Sequence, residues 1–140
     1  MAIYEKLDTN TSITIEIENA TNEPFKRVSV LMHCGEFPEN VYPPEVIQPG
    51  TSELFQIQSS GMLGREIVAQ IDYGSELLGN IGFYVSCFGF LTRNEVKVIG
   101  PSGEHLKVEI YKKTTYGLIP VAKEVFVNFK IVDIRKSMAA

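Results

Sequence analysis

From Ser12 to Glu18 the chain alternates without a break, with Ile13, Ile15 and Ile17 on one side of an extended backbone and Thr14, Glu16 and Glu18 on the other. Such a two-residue period suits a strand with one buried face, because a helix would scatter the three isoleucines around its circumference. The same period returns along the whole chain: Phe55 and Ile57; Ile67, Ala69, Ile71 and Tyr73; Ile81, Phe83, Val85 and Cys87; Val96 and Val98; Leu106, Val108 and Ile110; Val125, Val127, Phe129 and Ile131. Val28, Val30, Met32 and Cys34 read in the same way, which predicts that Cys34 faces inward. The runs are separated by Asn19 to Pro24, the proline-punctuated segment Pro38 to Pro44, Gln48-Pro49-Gly50, Ser59-Ser60-Gly61, Tyr73-Gly74-Ser75, Gly79-Asn80 and Pro101-Ser102-Gly103. Each supplies the free or fixed φ that a tight turn needs.

Regularly spaced short strands leave no room for the helices of a βαβ unit. The expectation is an all-β chain, an antiparallel β-sandwich of about eight or nine strands forming a single domain over residues 1–140. A chain of 140 residues with 44% hydrophobic and 21% charged residues can bury one substantial core. No internal repeat, low-complexity segment or linker divides it.

Charge and motif content exclude several kinds of chemistry. The formal charge is −4 and the basic residues are scattered, so no cationic stripe follows a phosphate backbone and nucleic acid is not an expected partner. The first residues, MAIYEKLDTNTS, carry no secretory or lipidation signal. No run approaches the roughly 18 apolar residues of a membrane-spanning helix. Cys34 and Cys87 are too far apart for a CxxC motif and read as buried thiols. His33 and Cys34, adjacent on a strand, would point to opposite faces, so no metal site is expected. There is no GxSxG, HExxH, phosphate-binding GxxxxGK[ST] or dinucleotide GxGxxG, and Gly61-Met62-Leu63-Gly64 reads as a turn. A hydrolase triad built on His33 or His105 would lack any nucleophile context. Neither an enzyme nor a cofactor is expected.

One stretch departs from the pattern. In FYVSCFGFLTRN, residues 83 to 94, Phe83, Val85 and Cys87 belong to the buried face of a strand. Phe88, Phe90 and Leu91 then crowd around Gly89, where a turn should be polar. Tyr116-Gly117-Leu118-Ile119-Pro120-Val121 is a second apolar connection of this kind. Two readings fit: the side chains fold back to plug the sandwich end, or they form a binding surface, since aromatic tips bring large apolar area with little rotamer entropy to lose. On the second reading Tyr84, Phe88, Phe90, Leu91, Tyr116, Leu118 and Ile119 are the candidate lipid- or receptor-binding residues.

The order of features resembles the aegerolysin family, small acidic β-sandwich proteins without a signal peptide, from about Ile13 to Ile134. The resemblance rests on the first strand with its Asn19 turn, on Gly35-Glu36-Phe37, on Ile47-Gln48-Pro49-Gly50 before a strand ending at Ser60-Gly61, and on Phe83-Tyr84-Val85-Ser86-Cys87-Phe88-Gly89-Phe90 with Asn94 following. The last segment is similar to the family's Phe-Tyr-Trp-Asp-Cys-Pro-Trp-Gly element. Val85 stands where the family often has Trp, Phe88 replaces Pro, and the chain has no Trp. In this it is most similar to the bacterial small components of two-component insecticidal toxins.

The resemblance implies a non-enzymatic component that binds a lipid membrane, sphingolipid-containing in many members, or a receptor. It also implies a larger pore-forming partner of the membrane-attack-complex/perforin type or another β-rich toxin. Such a protein would be synthesised in the cytoplasm without a signal peptide, then released to act at target-cell membranes, and it could self-associate as a homo-oligomer. The alternative is a lectin-like module reading a glycan or a protein receptor.

Overall fold

The computed structural model describes residues 11–39, 41–59, 66–88, 94–116 and 123–135. Among the described residues nine strands follow one another: β1 (Thr11–Asn19), β2 (Phe25–Cys34), β3 (Val46–Ile47), β4 (Ser52–Gln58), β5 (Glu66–Ser75), β6 (Gly79–Phe88), β7 (Asn94–Ile99), β8 (Leu106–Tyr116) and β9 (Lys123–Asp133). They form a four-stranded sheet in the order β4-β1-β9-β8 and a five-stranded sheet in the order β3-β2-β5-β6-β7. Every alternating run of the sequence lies in a strand. The short β3 was not foreseen, because two apolar residues between Pro44 and Pro49 carry no period.

The alternation converts directly into a core. Ile13, Ile15 and Ile17 of β1, Ile67, Ala69, Ile71 and Tyr73 of β5, Ile81, Phe83, Val85 and Cys87 of β6, and Val125, Val127, Phe129 and Ile131 of β9 are all buried between the sheets. The Phe83 and Phe129 rings meet across the interface with centroids 4.7 Å apart, and Tyr73 packs edge-on to Phe83. The Tyr73 hydroxyl donates a 2.6 Å hydrogen bond to the carbonyl of Pro44, so its polar end is satisfied at the rim of the core.

The expected direction of pairing holds for all strands but one pair. β1 and β9 run parallel, Thr11 opposite Lys123 and Asn19 opposite Ile131, which makes the four-stranded sheet mixed. Alternation reports which face a residue occupies, and turn residues report hairpins. Neither reports the relative direction of two strands separated by most of the chain.

The inward placement of Cys34 is corrected by the register of β2 against β5. Shifts between Arg27 and Ser29 and between Met32 and Cys34 each insert one residue. Val30 and Met32 pack against the core, but Val28 is 60% exposed, and Cys34 pairs with Val68, which lies between the buried Ile67 and Ala69 on the opposite face. Each bulge reverses the face of the residues that follow it, so Val30 and Met32 lie inward between the two and Cys34 turns outward after the second, and a regular alternation in sequence conceals both. Ile110 lies in the edge strand β8 and stays 45% exposed.

The open sides of the sandwich are laced. After β2, Gly35 at φ +112° turns the chain so that Glu36 exchanges backbone hydrogen bonds of 2.8 and 2.9 Å with Gln58 of β4. Its position is tight as well as left-handed, since a Cβ there would sit 3.1 Å from the Gln58 carbonyl oxygen. At one end of the sandwich the fully buried Asn19 side chain donates to the carbonyls of Glu23 (2.7 Å) and Ile47 (3.0 Å) and accepts from the Thr21 amide (3.0 Å) and hydroxyl (2.7 Å). It ties β1 to the turn before β2 and to β3. Asn19→Ala is expected to leave buried donors and acceptors without partners and to lower stability by about 2–4 kcal/mol. Urea unfolding measures this as a reduced midpoint with an unchanged slope; a midpoint equal to that of the parent would show that the hub contributes nothing net.

Candidate functional site

The strand directions sort the connections between two ends. At the Asn19 end lie the polar turns Asn19–Pro24, Gln48–Thr51 and Pro101–Gly103, together with the β5–β6 hairpin. At the other end β4 finishes and β5 begins, β6 finishes and β7 begins, and β8 finishes and β9 begins. The three segments joining these strands are Ser60-Gly61-Met62-Leu63-Gly64-Arg65, Gly89-Phe90-Leu91-Thr92-Arg93 and Gly117-Leu118-Ile119-Pro120-Val121-Ala122. Each opens on or next to a glycine and carries at least two large apolar residues. Their flanking strand ends gather at one end of the molecule.

Phe90, Leu91, Leu118 and Ile119 themselves lie outside the described residues, as do the side chains of Phe88 and Tyr116, the last residues of β6 and β8. The strand ends that flank the two stretches offered separately by the sequence nevertheless lie at one end of the sandwich, together with those that flank the segment containing Met62 and Leu63. That third segment passed as an ordinary turn because its apolar pair is short and flanked by two glycines; only the convergence of strand ends distinguishes it.

A buried polar cluster joins the feet of two of these connections. Lys123, the first residue of β9, is 1% exposed, and its Nζ lies 2.8 Å from Oδ1 of Asn94, the first residue of β7. The Cys87 thiol, near the end of β6, donates to the same oxygen at 3.0 Å. Asn94 Nδ2 donates to the Thr114 hydroxyl of β8 at 3.1 Å, and Lys112 Nζ reaches the Asn94 carbonyl at 3.4 Å. Cys87 and Asn94 belong to one sheet, Thr114 and Lys123 to the other, so the cluster pins the sheets together beneath the β6–β7 and β8–β9 connections. Desolvation pushes the Cys87 thiol up, and the neighbouring Lys123 charge and hydrogen bond offset part of that rise.

Tyr84 is placed elsewhere. Four residues before Phe88 and on the opposite face from Phe83 and Val85, it lies on the outer surface of the five-stranded sheet. There it pairs with Lys97, whose Nζ sits 4.8 Å from the centre of its ring. The two histidines are far apart in the fold, His33 near the end that bears the apolar connections and His105 at the start of β8 by the other end. Among the described residues no three His, Cys, Asp or Glu side chains gather into a metal-binding group, and no helix is long and apolar enough to cross a membrane.

No family model matches the sequence, and no curated protein does so either. Among solved structures, the chain is similar to the lipid binding protein Nakanori, with a TM-score of 0.57 and 13% identity over 93% of this chain and 75% of that one. It is also similar to IP-1A from Alcaligenes faecalis, with a TM-score of 0.52 and 15% identity over 89% and 92% of the two chains. At these identities the likeness is one of fold.

The burial and raised pKa of Cys87 give a direct check on the cluster. In the native protein a soluble maleimide should modify Cys34, which is partly exposed, and leave Cys87 untouched from neutral to mildly alkaline pH. Cys87 should react only in denaturant. Mass spectrometry of the labelled peptides decides this, and native labelling of Cys87 at a rate comparable to Cys34 would contradict a closed cluster.

Proposed function

We propose that this chain is a non-enzymatic membrane-docking protein whose contact surface is the end bearing Met62 and Leu63, Phe90 and Leu91, and Leu118 and Ile119. One observation carries the reading: the strand ends flanking three apolar connections meet at one end of the sandwich, while the opposite end carries three polar turns and, in the β5–β6 hairpin, the exposed Leu77. An acidic chain gains little from general attraction to anionic lipid, so docking relies on apolar insertion and on contacts with a particular headgroup. Each inserted side chain contributes roughly 1.5–3 kcal/mol before the cost of association. Two or three tips acting together give weak, reversible attachment, and several copies on one surface would strengthen it. The pinned Cys87–Asn94–Thr114–Lys123 cluster gives two of the connections a fixed base, which lowers the ordering cost of docking.

The fold likeness to a lipid binding protein supports lipid recognition as the class of function, and the aegerolysin resemblance supports a finer reading. In that reading the chain is the small component of a two-component insecticidal pore-forming toxin. It docks on a sphingolipid-containing target membrane and positions a larger perforin-like partner that forms the pore.

Co-sedimentation with liposomes that differ only in headgroup and sterol, including sphingomyelin and ceramide phosphoethanolamine, tests the docking surface. Phe90→Ser with Leu91→Ser, or Leu118→Ser with Ile119→Ser, should weaken binding by about tenfold or more while leaving the folding transition in place. Undiminished binding by both double variants would refute the assignment. Dye release should stay at background with this chain alone and rise only when a perforin-like partner is added; release by the chain alone would refute the division of labour.

A further inference from the structure

The outer face of the five-stranded sheet carries a second constructed feature, distant from the apolar end. Two rows of residues cross its strands in register. One is Ser29, Asp72, Gly82 and Ile99; the other is Leu31, Gln70, Tyr84 and Lys97. Beside them, a solvent-open cleft of about 320 Å³ is lined by Val28, Gln70, Asp72, Asn80, Gly82 and Ile99, among others.

The chemistry of the cleft is specific. Asp72 is oriented from two sides, its Oδ2 accepting from the Ser29 hydroxyl at 2.7 Å and its Oδ1 from Gln70 Nε2 at 2.9 Å. Each carboxylate oxygen keeps further acceptor capacity, and Gln70 keeps a second amide hydrogen. Gly82 supplies the floor: a Cβ there would lie 2.7 Å from Asp72 Oδ1 and 3.0 Å from Gln70 Nε2, so any other residue would displace the polar pair. A glycine inside a strand weakens the strand and commonly marks a close approach. Val28, 60% exposed, and Ile99, 44% exposed, present apolar surface beside these polar groups.

We propose that this cleft is a carbohydrate subsite that takes a neutral pyranose ring with vicinal hydroxyls. The hydroxyls donate to the fixed Asp72 carboxylate and accept from Gln70 and Asn80, while the C–H face of the ring lies on Ile99 and Val28. A preset acceptor with amide neighbours and an apolar flank is the combination that a sugar's mixed polar edge and apolar face require. Lys97, in the neighbouring row, lies over the Tyr84 ring and pairs with Glu95 at 3.3 Å. A divalent ion would need more oxygen ligands than one carboxylate supplies.

Gly82 lies six residues before Phe88, about 20 Å along β6 at roughly 3.3 Å per residue. The subsite therefore works independently of the apolar end, and the failure of either reading leaves the other standing.

Proton–nitrogen correlation spectra of the labelled full chain, titrated with methyl β-galactopyranoside, methyl β-glucopyranoside and methyl α-mannopyranoside, test the proposal. At least one glycoside should shift the amides of Gly82 and Ile99 and the side-chain amide of Gln70, and Asp72→Asn should weaken that binding by about tenfold or more. Ile99→Ala, which leaves the hydrogen bonds intact, should weaken it as well. Phosphatidylcholine vesicles containing galactosylceramide or glucosylceramide separate the sources: binding of the free glycoside identifies a soluble or protein-linked glycan, and Asp72-dependent binding to these vesicles alone identifies a glycolipid headgroup. Absence of cleft shifts with every glycoside, together with vesicle binding indifferent to Asp72→Asn, would overturn the proposal.

Discussion

The contact between Phe83 and Phe129 sets the terms for the rest of the molecule. These rings face each other from the central strands β6 and β9, and neither sheet can bury its apolar face without the other. Around them the isoleucines of β1 and the alternating residues of β5 and β6 fill the space between the layers. Two of the polar side chains that enter this region are answered individually, Tyr73 by the Pro44 carbonyl and Asn19 by the backbone of the turn before β2 and of β3. Sealing the interior in this way leaves the ends and outer faces free to vary without disturbing the core.

The proposed functions divide accordingly. At one end the strand ends flanking three apolar sequence segments converge beside a cluster of pinned side chains, the surface proposed for membrane docking. The outer face of the five-stranded sheet holds an oriented carboxylate over a glycine floor, a form suited to a ring of hydroxyl groups. The two surfaces differ in chemistry as well as in place. Apolar insertion has little directional preference, whereas the Ser29–Asp72–Gln70 arrangement is strongly directional. A protein that docks through the first can select through the second.

Most of the sandwich was legible because burial in a strand leaves a two-residue trace. Ile13 to Ile17, Ile67 to Tyr73 and Val125 to Ile131 show it without interruption, and their strands appear where that trace runs. Val28 and Cys34 were misplaced because a bulge adds a residue without altering composition, so the phase reverses silently. The parallel union of β1 with β9 was illegible for another reason: no local signal relates strands so distant in sequence. For the proposed docking end, the aromatic residues beside Gly89 stand out in the sequence, whereas the segment with Met62 and Leu63 gains meaning only from the adjacency of its flanking strand ends. Asp72 and Gly82 gave no separate signal, since each is ordinary until the register of β5 against β6 sets them side by side.

The pairing of β1 with β9 also orders assembly in time. Glu16 accepts a hydrogen bond from Asn128, 112 positions further along the sequence, and every residue of β1 lies beside one of β9. The five-stranded sheet contains the local sequence β5-β6-β7 and can begin to form while the chain is still emerging from the ribosome. The four-stranded sheet must wait, because its second strand from the start has no parallel neighbour until the final strand has been synthesised. Until then β1 has only β4 beside it, and its other edge leaves a row of backbone amides and carbonyls open to any strand that comes near.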